Sequence, residues 1–213
     1  MSKQRPHYIN FFGVPASGKS TIKRELCRTL AADGIRIDLP EKGHDVAATI
    51  AFAATHPNAY FATIAQWHRY SRAKKERAFG KRQILRSASY FYRSSAAFFF
   101  DEGFLHKEVN EHNSASHVEE LLRFLPDSEK TFVFVETSAE RAHERAKTRS
   151  TTKRVISLDD YQRYCRNNSD FFFSLKEKEG QNGVAQVIKL NGENPVGENV
   201  AELISILTPR LPR

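Results

Sequence analysis

The chain has 213 residues, of which 40% are hydrophobic and 11% aromatic, and it contains ten glycines and eight prolines. This composition supplies enough apolar side chain for a core, so it excludes a collagen-like, a fibrous repeat and a wholly disordered protein. Lysine and arginine outnumber aspartate and glutamate by 33 to 25, which gives a net charge of +8. Such a surplus favours phosphorylated or polyanionic partners without choosing among them.

The start of the chain and its cysteines bear on the compartment. The first residues are polar and lack the apolar core of a secretory signal, and no apolar run approaches the ~20 residues of a membrane-spanning helix. We therefore expect a cytoplasmic protein with no membrane partner. Cys27 and Cys165 fit neither a disulfide framework nor a CxxC metal or redox site, so we expect buried or neutral thiols.

Strand-like and helix-like segments alternate along the chain. Strands are predicted at residues 8–12, 35–39, 96–100, 131–135 and 184–190. Helices are predicted at residues 19–32, 46–55, 59–70, 74–92, 116–124, 138–149, 158–178 and 196–207. Each parallel crossover needs a helix-length return, so this alternation predicts an α/β fold: a parallel sheet with helices on both faces.

An eight-residue motif, GVPASGKS at residues 13–20, lies between the first strand and the first helix and fits G-x-x-x-x-G-K-[ST]. The glycines let the backbone wrap around an anion, while N–H groups and the helix N-terminus point at phosphates. Lys19 adds a positive charge, and the Ser20 hydroxyl can ligate Mg²⁺. A simple glycine turn would explain Gly13 and Gly18 but not Lys19 and Ser20 in register. The predicted ATP-binding residues are Gly13, Ala16, Ser17, Gly18, Lys19, Ser20 and Thr21.

A carboxylate follows the third predicted strand, where the apolar residues 96–100 end in Asp101-Glu102. Ligands gather outside the carboxyl ends of parallel strands, and a carboxylate there can hold Mg²⁺ beside a phosphate-binding loop. We expect Ser20 and Asp101 to hold Mg²⁺, Asp101 directly or through a water, and Glu102 to face the acceptor. Taken alone, the same run would be a strand that ends in a turn.

Four arginines follow the fourth predicted strand. Arg141, Arg145 and Arg149 are spaced four apart, so one helix face presents all three, and Arg154 comes shortly after. A basic flap that closes over the phosphates would stabilise the charge on a transferring phosphoryl group. The alternative is a solvated helix whose arginines pair with neighbouring glutamates.

Together these pieces resemble the nucleoside and nucleoside-monophosphate kinase branch of the P-loop kinases, the thymidylate-kinase-like group in particular. The resemblance rests on the loop motif, Pro40-Glu41, Asp101-Glu102-Gly103, the run VFVETSAERAHERAKTR and the C-terminal VIKLNGENPVGENVAELISIL. It implies a three-layer P-loop NTPase fold with a five-stranded parallel sheet. It also implies one domain over residues 1–213, with a substrate-side helical region at about 42–95 and a short lid at about 149–157. Residues 191–194 would be the nucleotide-base loop, and Arg145 and Arg149 would belong to the lid over the ATP phosphates.

Two departures from the thymidylate kinase pattern bear on the acceptor. Those enzymes place Asp-Arg where this chain has Asp101-Glu102, so an acid replaces an arginine that helps to hold the acceptor. Glu41 matches the general base of deoxynucleoside kinases, and Gln66 resembles the glutamine with which they read the base. A carboxylate base suits a hydroxyl acceptor, whereas a phosphate acceptor needs arginines. Glu41 and Glu102 therefore favour a hydroxyl, although as surface glutamates they need no function.

Residues 67–93 carry nine basic side chains and one acid, and this surplus of eight equals the net charge of the whole chain. A solvated basic helix is one interpretation. The segment would otherwise hold an anionic acceptor, with Arg69 and Arg72 nearest the expected cleft, or grip a polynucleotide.

The sequence thus predicts an ATP- and Mg²⁺-dependent kinase that transfers the γ-phosphoryl group to a hydroxyl or phosphate of a nucleoside-like or other polar metabolite. The predicted catalytic residues are Lys19, Glu41, Asp101, Glu102, Arg145 and Arg149, and the predicted substrate-binding residues are Glu41, Gln66, Arg69 and Arg72. One alternative is a polynucleotide 5′-hydroxyl kinase. Another is a nucleotide-dependent switch or ATPase that phosphorylates no acceptor. We expect a small-molecule acceptor rather than nucleic acid, and the oligomeric state stays open, a homodimer included.

Overall fold

The computed structural model describes residues 6–39, 46–74, 79–101, 105, 109–110, 118–123, 125, 128–148 and 156–210. Within these ranges, the side chains of residues 66, 69–74, 79–83, 120 and 210 lie outside the description. Among the described residues, none of the helices is long and apolar enough to cross a bilayer.

Five parallel strands form one sheet in the order β2-β3-β1-β4-β5. The strands are β1 (His7–Phe12), β2 (Ile37–Asp38), β3 (Phe98–Asp101), β4 (Lys130–Glu136) and β5 (Val184–Asn191). In the registers of the central strand, Asn10 lies opposite Asp101 of β3, and Phe12 lies opposite Phe134 of β4. The chain order reverses at β1, so the crevice that binds ligands in open α/β sheets opens at the loop that follows it.

Helices cover both faces of the sheet. They are α1 (Lys19–Ala32), α2 (Val46–Thr55), α3 (Pro57–Lys74), α4 (Phe79–Arg93), α5 (Val118–Leu122), α6 (Ala139–Lys147), α7 (Leu158–Lys176) and α8 (Val196–Leu207), with a 3₁₀ turn at Thr208–Arg210. Successive strand side chains point to opposite faces. Ile9 and Phe11 of β1 therefore pack with α1 and α8, whereas Phe12 packs with α5 and α7.

The predicted fold is confirmed, and its boundaries shift in a few places. The second strand spans only Ile37–Asp38 rather than residues 35–39, because it lies at the sheet edge and Leu39 is 43% exposed. Helix α3 begins two residues earlier than predicted, at Pro57, a residue well suited to the first turn of a helix. Helix α4 begins at Phe79, and residues 75–78, between it and α3, lie outside the described part of the chain.

Candidate functional site

The phosphate-binding loop leaves β1 at Gly13 and enters α1 at Lys19. Gly13 and Gly18 have φ angles of +138° and +102°, which side chains disfavour. A Cβ on Gly13 would lie 2.5 Å from the carbonyl oxygen of Val135, so the end of β4 leaves no room for one. Ala16 also has a positive φ of +64°, a strained conformation of the kind found at functional loops.

Lys19 is folded into the concave side of this loop and is 6% exposed. Its ammonium group donates hydrogen bonds to the carbonyl oxygens of Gly13 and Val14, at 3.0 and 2.6 Å. A third bond reaches the hydroxyl oxygen of Ser17 at 3.1 Å. These three partners are uncharged oxygens, and they fix the ammonium group against the loop. Gly18 caps α1 and makes no side-chain hydrogen bond to the first-turn N–H groups, which are the groups that meet an anion at a helix N-terminus.

The phosphate-binding loop packs against residues 191–194, the last residue of β5 and the turn after it, which we call the base loop. The N–H of Gly192 donates to the carbonyl oxygen of Glu136 at 2.7 Å, and the Thr137 hydroxyl donates to the carbonyl oxygen of Ser17 at 3.3 Å. A Cβ on Gly192 would lie 2.5 Å from that Ser17 oxygen. Residues 136–137, at the end of β4, therefore bond to both loops, and the two loops lie against each other at Ser17 and Gly192.

Arg145 contacts the base loop rather than projecting away from α6. Its Nη1 donates to the carbonyl oxygen of Gly192 at 3.0 Å. Arg141, one turn earlier, lies 3.5 Å from Glu144, and both of these side chains are more than half exposed. Arg141 thus fits the solvated-helix interpretation, whereas Arg145 lies where it can meet a nucleotide bound along the base loop.

The base loop is also fixed by Glu193. The carboxylate of Glu193 accepts hydrogen bonds from the backbone N–H and the hydroxyl of Ser138, at 3.0 and 2.8 Å. These bonds, the backbone one first, lower the pKa of Glu193 below its usual value. The N-terminus of α6 and the base loop are thereby joined by a carboxylate that stays ionised.

Asp101 ends β3 and is 3% exposed. Its Oδ2 accepts hydrogen bonds from the Tyr8 hydroxyl at 2.7 Å and from the Ser87 hydroxyl at 2.5 Å. Burial, together with the charge of Asp101, raises the pKa of Tyr8 well above its usual value, so Tyr8 keeps its proton and acts as the donor.

The donor set fits a magnesium ion. Carboxylate and hydroxyl oxygens, as Asp101 and Ser20 offer, are the ligands that Mg²⁺ prefers, and Mg²⁺ usually completes its shell with waters and substrate phosphates. Among the described residues there is no group of three or more His, Cys, Asp or Glu side chains that could hold a metal ion by itself. Asp101 and Ser20 would supply two oxygen ligands, and phosphates and waters would complete the octahedral shell of the ion.

Buried asparagines lie behind the loop, and the sequence analysis missed them. The Asn110 side chain is 3.5 Å from the carbonyl oxygen of Gly13, and its Oδ1 accepts from Nδ2 of Asn168 at 2.7 Å. Asn167 donates to the carbonyl oxygen of Asn110 at 3.2 Å. The available signal was an Asn-Asn pair on the otherwise apolar face of α7. These amides tie α7 to the first residue of the phosphate-binding loop.

A groove of about 980 Å³ opens between α6, α7 and the ends of β4 and β5. Carboxylates of Glu136, Glu140 and Glu193 line it together with Arg166 and Lys189. Since the acids outnumber the bases, phosphates are better placed at the amide-lined loop than in this groove. Cys165 also lines the groove, and burial raises the pKa of its thiol to about 11.

Comparison with known proteins identifies the fold. No protein-family model and no curated protein matches the chain. A structure of deoxyadenosine kinase from M. mycoides with bound dATP matches with a TM-score of 0.51 and 13% identity, over 95% of this chain and 99% of that one. The structure of that kinase with the products dCMP and a flexible dCDP matches with the same TM-score and coverage and 14% identity. The chain shares its fold with this deoxyadenosine kinase.

On this kinase fold, several predicted site residues can be placed and others cannot. The loop residues, Asp101 and Arg145 all lie at the carboxyl end of the sheet, where the prediction put them. The backbone of α3 carries Gln66, Arg69 and Arg72, whose side chains lie outside the described part of the structure. Glu41, Glu102, Arg149 and Arg154 also lie outside the described residues.

Proposed function

We propose that the chain is an ATP- and Mg²⁺-dependent kinase that transfers the γ-phosphoryl group of ATP to a nucleoside-like metabolite. The observation that carries the proposal is the buried ammonium group of Lys19, held inside a strand-to-helix loop whose glycines could hardly be replaced. The deoxyadenosine kinase of the same fold supports the choice of a nucleoside-like acceptor. Its two structures hold dATP in one case and the products dCMP and dCDP in the other.

ATP binding would draw Lys19 toward the phosphates. In the structure its ammonium group donates to the oxygens of Gly13, Val14 and Ser17. Phosphate oxygens carry negative charge, so they are stronger acceptors than these uncharged ones. The ammonium group can therefore turn from the loop oxygens to the β- and γ-phosphates with little movement of its carbon chain. A charge already in place at the transferring group stabilises the transition state without reorganisation.

Ser20 and Asp101 would hold the magnesium ion. When bound, the ion neutralises the charge that develops on the phosphates. Arg145 lies beside the base loop, where its guanidinium group can contact the nucleotide, and we propose Arg149 as a second lid arginine.

The acceptor would meet the γ-phosphate on the side of α3 and α4. We propose Glu41 or Glu102 as the base that accepts the proton of an acceptor hydroxyl, and Gln66, Arg69 and Arg72 as acceptor-binding side chains. A carboxylate within hydrogen-bond reach can take that proton as the oxygen attacks phosphorus. This chemistry favours a hydroxyl acceptor.

An acceptor screen tests the proposal. The protein is incubated with γ-labelled ATP and Mg²⁺ and with each of the ribonucleosides, the deoxynucleosides and their monophosphates, and the labelled products are separated. We expect label on at least one nucleoside or monophosphate, and no transfer by Lys19→Ala. Lys23→Ala, one turn further along α1, is the matched control and should transfer normally. ATP consumption at a rate that no acceptor changes would instead show an ATPase or a switch.

A further inference from the structure

Asp101 is held by two hydroxyl groups that come from different parts of the fold. Tyr8 lies on β1, the central strand, and Ser87 lies on α4, which packs on the sheet. Both hydroxyls donate to the same oxygen, Oδ2. All three side chains are buried, with exposed fractions of 0%, 7% and 3% for Tyr8, Ser87 and Asp101.

The direction of the Tyr8 hydroxyl is fixed by the rings around it. The Tyr8 ring stacks on Phe99 at a centroid distance of 5.9 Å and meets the edge of Phe91 at 6.0 Å. Phe91 follows Ser87 by four residues, so both face the sheet from one side of α4. Helix α4 thus packs the Phe91 ring against Tyr8 and donates a hydrogen bond from Ser87 to the Asp101 carboxylate.

Two donors on one oxygen restrict the rotation of a carboxylate. A carboxylate with a single partner can turn about its terminal bond, because that torsion is broad. Two hydroxyls fixed on rigid elements remove this freedom, and bonds to a charged acceptor are the stronger kind. The plane of the Asp101 carboxylate is therefore set by β1 and α4 before any ligand arrives.

We propose that Tyr8 and Ser87 are positioning residues that orient the Asp101 carboxylate toward the divalent cation of the bound nucleotide. The inference rests on the proposed function and adds two residues to it. It also connects the Asp101 carboxylate, through α4, to the helices beside which the acceptor is proposed to bind, because α4 packs against α2 and α3. A displacement of α4 moves a hydrogen-bond donor of Asp101.

Binding of Mn²⁺ to the protein–ATP complex tests the inference without depending on turnover. Mn²⁺ takes the same oxygen ligands as Mg²⁺, and its free concentration is read by electron paramagnetic resonance. We expect Tyr8→Phe and Ser87→Ala each to raise the half-saturating Mn²⁺ concentration about fivefold, less than the roughly tenfold or greater effect of losing a direct hydrogen bond to a charged group, because the carboxylate keeps its other donor. Ser89→Ala is the matched control, because this buried serine of α4 donates to the carbonyl oxygen of Arg86. It should bind Mn²⁺ within about twofold of the unmodified chain.

A double-mutant cycle separates positioning from general loss of packing. If Tyr8 acts through Asp101, then Tyr8→Phe should change Mn²⁺ binding less than about twofold in an Asp101→Asn background. A full fivefold effect in that background shows a structural role and overturns the inference. Should Tyr8→Phe fail to fold, the Mn²⁺ affinity of Ser87→Ala, compared with that of Ser89→Ala, tests the inference without it.

The outcomes also distinguish this inference from the proposed function. Unchanged Mn²⁺ affinity in folded Tyr8→Phe and Ser87→Ala, with normal ATP binding by the unmodified chain, overturns the positioning role alone. An unmodified chain that binds no ATP overturns the proposed function, and the inference with it.

Discussion

Substitution of Gly192 by alanine should disturb nucleotide binding although the residue bears no functional group. A Cβ there would lie 2.5 Å from the carbonyl oxygen of Ser17 and 2.9 Å from that of Glu136, whereas ordinary contact begins at 3.4 Å. The base loop and the phosphate-binding loop must therefore separate by 3.4 minus 2.5, or 0.9 Å, at the closer backbone contact. The Thr137 hydroxyl also obstructs the Cβ, but the other two obstructing atoms belong to the backbone, so rotation of the Thr137 side chain alone does not relieve the clash.

The separation puts three hydrogen bonds at risk. These are the bond from the Gly192 N–H to Glu136 at 2.7 Å, that from Arg145 to the Gly192 carbonyl at 3.0 Å and that from Thr137 to Ser17 at 3.3 Å. At about 1 kcal/mol each, their loss lowers the free energy of unfolding by about 2–3 kcal/mol. The distorted loop should also bind ATP at least ~10-fold more weakly, since about 1.4 kcal/mol corresponds to a factor of ten in an equilibrium constant.

Urea unfolding and ATP titration of Gly192→Ala measure the two effects. Gly197→Ala on α8 is the control, because nothing lies within 4 Å of a Cβ at that position. Replacing a helical glycine by alanine should stabilise that variant by up to about 1 kcal/mol. A Gly192→Ala protein as stable as the unmodified chain, with the same ATP affinity, would refute the contact between the two loops.

Three further outcomes are expected. Asp101→Asn should lower Mg²⁺-dependent transfer by ~100-fold or more, because the carboxylate loses its charge, and a normal rate at limiting Mg²⁺ would remove Asp101 from the site. Cys27 and Cys165 should be alkylated by iodoacetamide at pH 7 more slowly than free cysteine, since burial raises the pKa of each thiol to about 11; rapid labelling by mass spectrometry would contradict their burial. Ser138 lowers the pKa of Glu193, so the unmodified chain should keep its Glu193 interaction at mildly acidic pH and lose it as the pH falls through the lowered pKa. Protonation of Glu193 should loosen the base loop and so weaken ATP binding. Ser138→Ala removes the hydroxyl bond and should move this loss of ATP affinity to higher pH, and an unshifted pH profile would count against the hydroxyl bond.

The fold could be predicted because its signals are local. The period of apolar residues marks the strands and helices, and the loop motif fixes the first strand–loop–helix unit at residues 7–32. The second strand was the weakest prediction, since an edge strand of two residues leaves little periodicity to detect. The positions of the loop and of Asp101 at the carboxyl end of the sheet could be predicted because the loop follows β1 and Asp101 ends β3.

The contacts that tune the site could not be predicted, because they join residues far apart in the chain. Tyr8 and Asp101 are separated by 93 positions, and Arg145 and Gly192 by 47. Nothing in the sequence around Tyr8 distinguishes it from a core tyrosine. The asparagines behind the loop are of the same kind, since Asn110 and Asn168 meet across 58 positions.

Titration calorimetry of ATP into the unmodified chain, Lys19→Ala and Lys23→Ala tests the central claim that the loop binds a triphosphate through Lys19. We expect one ATP site in the unmodified chain and in Lys23→Ala, and affinity lower by about 100-fold in Lys19→Ala, because hydrogen bonds to charged phosphate oxygens are lost. Equal ATP affinity in all three proteins, or no binding heat in the unmodified chain with Mg²⁺ present, would contradict the claim.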